Sequence, residues 1–418
     1  MSSHSFFRQL GWVLVATVAG GLCNSSVHFY ARLMPTDHYG LFQVFLQSLL
    51  PQLAIPALGI QAAFVHLSAS AVTLDQEREL AAAVRRVALV LGALWVVAVL
   101  LVGLFNEQLL EVYKLGTGSA LVILMATVLA ALLQPIFSGI IQGRQDFLWF
   151  GWVTILGGLG RLAGVGLMVG LFGGTAVNAM LGVLIGQLAS LAIAVVRSRS
   201  AWHHQPGQFA LGAFILRIMP LTIALGALTL LQTADIAAAR EALTGEQSGL
   251  YAAAGGVARS VLYLSAPMIY VMFPRIVREA ANSQRSSILA QACGLSLFVC
   301  GGAALGATLL PELPFKIVQG GQYLAASALL PSIAWCFLPL MLSSVLLNNL
   351  LARSRFLVVW PLLALAVGYW LALRRFNHSP QQIIATLGVA ATLSLVLLGV
   401  FTWLESRQTN LHAKTPSS

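Results

Sequence analysis

The chain has 418 residues, 58% of them apolar and 9% charged, with 23 Lys or Arg against 13 Asp or Glu. A soluble domain carries about 25% charged residues, so this composition excludes a water-facing globule. Its basic residues are scattered over short loops rather than gathered in one stripe, which argues against a nucleic-acid partner and for a bilayer.

The first apolar stretch follows Arg8 and runs over 10–31. It has no short apolar region with a cleavage site, so it reads as a retained span and not a signal peptide. Lipid offers backbone groups no partner, so apolar runs near 20 residues must be helices. Further spans are predicted at 41–67, 87–106, 119–141, 149–171, 175–196, 216–238, 249–273, 287–310, 324–351, 356–373 and 381–403. The sequence thus predicts an all-α polytopic membrane protein of about twelve helices. Kinks are expected in the long spans at Pro51 and Pro56, at Pro267, and at Pro331 with Pro339. Leu74–Arg86 alternates Asp75, Glu77, Arg78 and Glu79 with apolar residues and reads as a solvated helix lying at the interface.

An even number of spans places both termini on one side. With the termini cytoplasmic, that side receives fifteen Lys or Arg and the other six, while Arg161 and Arg259 stay inside spans. This is the bias expected of cytoplasmic loops. The halves also repeat at an offset of 209 residues: Gly40-Leu41-Phe42 matches Gly249-Leu250-Tyr251, and Arg144 with Phe147 matches Arg353 with Phe356. Because each half has an even number of spans, the repeats are parallel and related by an axis along the membrane normal. The organisation expected is an N-lobe at 1–196, a cytoplasmic linker at 197–215, a C-lobe at 216–404 and a cytoplasmic tail at 405–418.

Ionisable groups inside spans are the first candidates for function, since each costs about 2.5–3.5 kcal/mol at a helix centre. Arg161 and Arg259 are too deep to reach water, so each either faces a polar cavity or pairs with a buried group, for which Asp235 is the acidic candidate. Arg32 and Arg240, nearer span ends, either enter that cavity or reach headgroups. Gln43 and Gln47 share a helix face and either line a hydrophilic path or hydrogen-bond between helices. Gly160 with Gly164, Gly166 with Gly170, and Gly182 with Gly186 have the small-xxx-small spacing of close helix packing. Cys23, Cys293, Cys300 and Cys336 lie in apolar runs as small core residues, and His203 and His204 have no carboxylates beside them, so no metal site is expected. No nucleophile constellation or phosphate loop is present, and no interspan loop exceeds about 20 residues, which leaves little room for a catalytic domain.

Ala31-Arg32-Leu33-Met34-Pro35 with Tyr39-Gly40-Leu41-Phe42 resembles the segment after the first span of exporters in the multidrug/oligosaccharidyl-lipid/polysaccharide (MOP) superfamily. Asp235, Gly249-Leu250-Tyr251-Ala252-Ala253-Ala254, Pro267 and Phe273-Pro274 are similar to the seventh and eighth spans of its lipid-linked oligosaccharide flippases of the O-antigen type. Phe315–Leu324 is similar to that branch's element before the tenth span. The resemblance implies two six-helix lobes that alternate between inward and outward openings. It further implies transfer of an undecaprenyl-pyrophosphate-linked oligosaccharide to the outer leaflet of a bacterial inner membrane for cell-surface polysaccharide synthesis, alongside glycan polymerase machinery. No cofactor is implied beyond coupling to a proton gradient, a sodium gradient or the membrane potential. Arg32, Arg240 and Arg259 are implied as pyrophosphate ligands, and depth adds Arg161. The rivals are a multidrug or cation antiporter of the same superfamily and a membrane-embedded glycan polymerase or ligase.

Overall fold

A computed structural model describes residues 3–114, 118–260, 287–319, 321–353 and 355–412. The long helices are α1 (Ser3–Ser26), α2 (Thr36–Leu53), α3 (Ile60–Ser70), α4 (Leu74–Leu104), α5 (Ser119–Gly143), α6 (Phe147–Phe172), α7 (Ala176–Arg197), α8 (Leu211–Ala242), α9 (245–260), α10 (Ser287–Leu309), α11 (Leu330–Ala352), α12 (Val359–Arg375) and α13 (Pro380–His412). Among the described residues ten helices are long and apolar enough to cross a membrane, and counting the bent pair of α2 and α3 as one span gives eleven. The span expected at 249–273 is described only to residue 260, so its kink at Pro267 lies outside the described residues. Leu89, Leu100, Phe172, Phe298, Leu357 and Trp360 point outward and exposed, which a protein surface tolerates where the solvent is lipid.

The expected kink at Pro51 and Pro56 is a 48° bend between α2 and α3. Ile55–Ala57 forms a 3₁₀ turn and Gly59 takes φ +83°, a left-handed conformation that a side chain would strain. Pro331, in contrast, makes no kink. It occupies the first turn of α11, where its missing N–H is no loss, and residues Gly321–Ala328 before it are a separate 3₁₀ segment, so the tenth span starts later than expected. Pro339 sits within an unbroken α11.

The Leu74–Arg86 segment also differs from expectation. It is the start of a continuous 31-residue α4, capped by Thr73, whose side chain accepts from the Gln76 amide while Gln76 bonds back. Leu80–Val84 are buried, Arg85 donates to the Trp202 and His204 carbonyls, and Arg86 donates to the Phe209 carbonyl at 2.6 Å. The segment between the lobes therefore folds back onto α4, which the charge alternation alone did not show.

One end of the bundle is defined by Trp12 donating to the Leu148 carbonyl and by the pairs Glu77–Arg144, Asp146–Arg197 and Glu405–Arg353. We refer to it as the terminal face and to its opposite as the far face. In the N-lobe, α6 and α7 cross where Gly160 and Gly164 meet Gly186 and Gly182, so close that a Cβ on Gly160 would come within 3.1 Å of the Gly186 Cα. Gly40 of α2 and Gly249 of α9, equivalent positions of the two repeats, touch each other: a Cβ on Gly40 would lie 2.8 Å from the Gly249 Cα. Contact between equivalent residues is what a pseudo-two-fold axis passing between them produces.

Candidate functional site

The deepest charged pair joins α8 and α9. Arg259 donates to both carboxylate oxygens of Asp235, and their side chains are 5% and 0% exposed. Tyr251 donates to Asp235 Oδ2 at 2.8 Å and Arg259 Nε to the Gln232 carbonyl at 3.0 Å. The guanidinium lies over the Phe337 ring of α11, 4.8 Å from its centroid. Burial this complete is tolerable for a carboxylate only because it is matched by the Arg259 charge, through Nη2, and by a phenol. Arg259 Nη1 has no hydrogen-bond partner and rests against Gly255.

Arg32 and Arg240 stand at the far face, each holding backbone from the other lobe. Arg32 Nε donates to the Val318 carbonyl at 3.2 Å and Nη2 to those of Lys316 and Ile317. Arg240 Nε donates to the Tyr113 carbonyl at 3.0 Å, Nη2 to that of Lys114, and Nη1 to Ser248 Oγ. Lys114 returns the contact by donating to the Leu243 carbonyl. Burial and the adjacent Arg240 guanidinium push the Lys114 ammonium below its ordinary pKa. The two clasps are reciprocal, N-lobe onto C-lobe and C-lobe onto N-lobe. In this conformation backbone carbonyls occupy the forks of Arg32 and Arg240, which stand apart from Arg259.

Between the clasps lies a buried polar cluster. His28, in the 3₁₀ segment Val27–Leu33, brings Nδ1 to 2.9 Å from Tyr39 Oη and 2.8 Å from Gln43 Nε2, and Nε2 to 3.1 Å from Gln47 Nε2. Gln319 of the C-lobe donates to Tyr39 Oη at 3.1 Å and to the Ala253 carbonyl at 3.3 Å. Gln322 donates to the Ala31 and Met34 carbonyls, and Tyr323 packs its ring 5.1 Å from that of Tyr39. Gln43 and Gln47 are thus interhelical partners and do not line an open path. Phe45–Leu49 is a π-turn, the wide helical geometry often found at functional positions, and it carries Gln47.

Toward the terminal face the lobes still touch, Phe64 of α3 lying with its ring 6.0 Å from that of Phe214 of α8. A cavity of about 550 Å³ lies between α3, the first turns of α8 and the end of α11, lined in part by Gly59, His66, Phe214, Arg217, Pro220 and Leu351. Its polar members are the exposed His66 and Arg217. Arg161 is elsewhere, half-buried in the N-lobe between α6 and α7, where Nη2 approaches Gln187 Oε1 at 3.4 Å. The four expected arginines therefore occupy separate settings. Sequence reasoning missed His28, His66, Arg217 and Gln319. The i, i+4 run Tyr39, Gln43, Gln47 on one face was the available signal for a buried polar partner.

No protein-family model matches the chain and no curated protein matches it. Among solved structures it is similar to an inward-facing multidrug resistance MATE transporter of the MOP superfamily, with TM-score 0.72 and 10% identity over 95% of this chain and 96% of that one. An outward-facing structure of such a transporter gives TM-score 0.63 at 13% identity, over 98% and 97% of the two chains. The lipid II flippase MurJ in an inward closed conformation gives TM-score 0.63 at 13% identity, over 95% and 86%. Lobes clasped at one face and enclosing a cavity toward the other, all helical among the described residues, define the class as a two-lobed, all-α polytopic membrane fold. More particularly, the chain has the fold of the MOP superfamily transporters.

Proposed function

We propose that this protein is a flippase that carries an undecaprenyl-pyrophosphate-linked oligosaccharide from the cytoplasmic to the outer leaflet of a bacterial inner membrane, feeding glycan polymerase machinery. The terminal face is then cytoplasmic, in keeping with the fifteen to six division of Lys and Arg, and the protein moves its cargo without transforming it. The observation that carries this reading is the state of the buried carboxylates. Asp235 and Glu405 are the buried acids among the described residues, and each is paired with an arginine. A cation or drug antiporter needs an unneutralised carboxylate within the membrane to hold its ion and cargo. The interlobe cavity instead presents Arg217 and His66, donors suited to phosphate oxygens. The polyprenyl tail needs no shelter and can remain in lipid while the head group crosses.

The pyrophosphate first meets Arg217 at the terminal face. Arg32 and Arg240 become available to it as the far face opens and their forks leave the carbonyls that hold them, and Arg259 offers the Nη1 that its pairing with Asp235 leaves free. In proteoliposomes the purified protein should translocate a polyprenyl-pyrophosphate oligosaccharide, and it should give drug-sensitive cells no resistance to cationic dyes. Arg217→Ala should lower the translocation rate about tenfold or more, the loss of one charge-assisted fork. Efflux of ethidium with no movement of the lipid-linked sugar would establish the antiporter reading instead.

A further inference from the structure

His28 lies on the seam that the far-face clasps close, and its hydrogen bonding is left incomplete in an unusual way. Three glutamine side-chain oxygens of the cluster, Gln43 Oε1, Gln47 Oε1 and Gln319 Oε1, are buried without a partner. Both ring nitrogens face glutamine nitrogens. A neutral imidazole has one acceptor nitrogen and one N–H, so one glutamine must turn its amide to receive that N–H. An imidazolium has two N–H groups, and both are satisfied if Gln43 and Gln47 each present the oxygen that now has no partner. The cluster thus accommodates either protonation state by turning amides, with no new residue required.

We propose that His28 is a proton-binding site whose occupancy favours separation of the lobes at the far face. The proton adds to the Nδ1 lone pair. Tyr39 O–H and Gln43 N–H then lose their acceptor, Gln43 turns its oxygen to the new N–H, and the Tyr39 hydrogen moves toward Gln319 Oε1. Gln319 must turn to accept it and thereby releases the Ala253 carbonyl, so the added proton is felt at the lobe-to-lobe contact.

The surrounding groups set the direction. From its own segment, Arg32 is engaged with the 316–318 carbonyls. α2 contributes the phenol Tyr39, with Asp37 and His38 farther toward the end of the helix. The 315–328 segment contributes Tyr323, with which Asp37 interacts electrostatically, and Lys316, which is paired with Glu312. α9 contributes Gly256, whose added Cβ would lie 3.4 Å from His28 Cε1, while the adjacent Gly255 carries the Arg259 guanidinium against it. Tyr251 on the same helix is bound to Asp235. No carboxylate contacts the ring among the described residues, and the ring is buried, so a charged imidazole is costly while the seam is shut. Opening the seam admits water to it. Proton binding and far-face opening are therefore linked, and each promotes the other.

The inference rests on the alternating-lobe reading but needs no cargo for its test. Spin labels at Glu107 and Leu313, exposed far-face positions in the two lobes, report lobe separation in a variant whose four native cysteines are replaced. Going from about pH 8 to about pH 5, across the range where histidine titrates, should shift the population to longer distances. His28→Gln, which keeps an amide donor and acceptor but cannot hold the charge, should abolish that shift and leave the short distance at every pH. If His28→Gln does not fold, Tyr39→Phe serves: without the phenol hydrogen the protonated ring has no means to turn Gln319, so the pH-dependent shift should be lost. A distance unaffected by pH in the native sequence, a transition unchanged in His28→Gln, or a full shift retained in Tyr39→Phe would overturn the proposal. Since no lipid-linked sugar is present, these outcomes are independent of whether the cargo assignment holds.

Discussion

Arg259 answers both descriptions the sequence offered for a deep arginine: it is locked to a buried acid and still has one terminal nitrogen without a partner. Removing either member leaves the other charged and unmatched in a dry interior, which costs about 3–5 kcal/mol. Arg259→Ala and Asp235→Ala should therefore each lower the amount and melting temperature of membrane-inserted protein. The double variant should recover most of that loss, since it removes both charges together. Equal loss in the double variant would show that the pair is not the source of the stability. Arg259→Lys should fall between, keeping the charge but losing the Nε bond to the Gln232 carbonyl. Depth in an apolar run made Arg259 and Asp235 legible as a pair. The role of Arg32 was not legible, because its acceptors are carbonyls more than 280 positions away in the chain and a carbonyl leaves no mark in the residue alphabet.

At the scale of elements, the glycine spacing in α6 and α7 converts into a backbone contact that has no room for a side chain. An added Cβ on Gly182 would press on the Val165 amide and the Gly164 carbonyl, neither of which can rotate away. Gly182→Ala should thus destabilise the N-lobe by about 1–3 kcal/mol, visible as a lower melting temperature in detergent. Gly170→Ala, where an added Cβ meets nothing within 4 Å, should have little effect. The two glycines differ only in what faces them, which the spacing motif does not encode. Long apolar runs fixed the helices well because lipid forbids any other backbone solution. The ends were harder to read: Leu74–Arg86 has the composition of an interfacial helix, yet its small and apolar residues are buried and its arginines are held by the 202–209 carbonyls.

For the whole molecule, the repeat supplies a mechanical consequence. Arg32 and Arg240 hold equivalent interspan segments of opposite lobes, so the far face is fastened twice by related contacts, and the terminal face has the cavity instead. Hydrogen bonds from a charged donor are worth about 1.5–3 kcal/mol each, and about 1.4 kcal/mol corresponds to a tenfold change in an equilibrium. Arg32→Ala with Arg240→Ala should therefore move the population toward far-face opening by at least roughly tenfold, more than either single change. The expected reading is a longer Glu107 to Leu313 label separation at neutral pH, without the acid shift that the native clasps demand. The sidedness of that opening is fixed separately by single cysteines at Gln208 and Thr244, on the terminal and far faces. An impermeant reagent added to whole cells should label Thr244→Cys and not Gln208→Cys if the terminal face is cytoplasmic. Should the clasp variant stay shut, the arginines would only brace each lobe. Should Gln208→Cys label and Thr244→Cys not, the clasps would close the cytoplasmic side and Arg217 would face outward, so it would not be the cargo's first contact as proposed above.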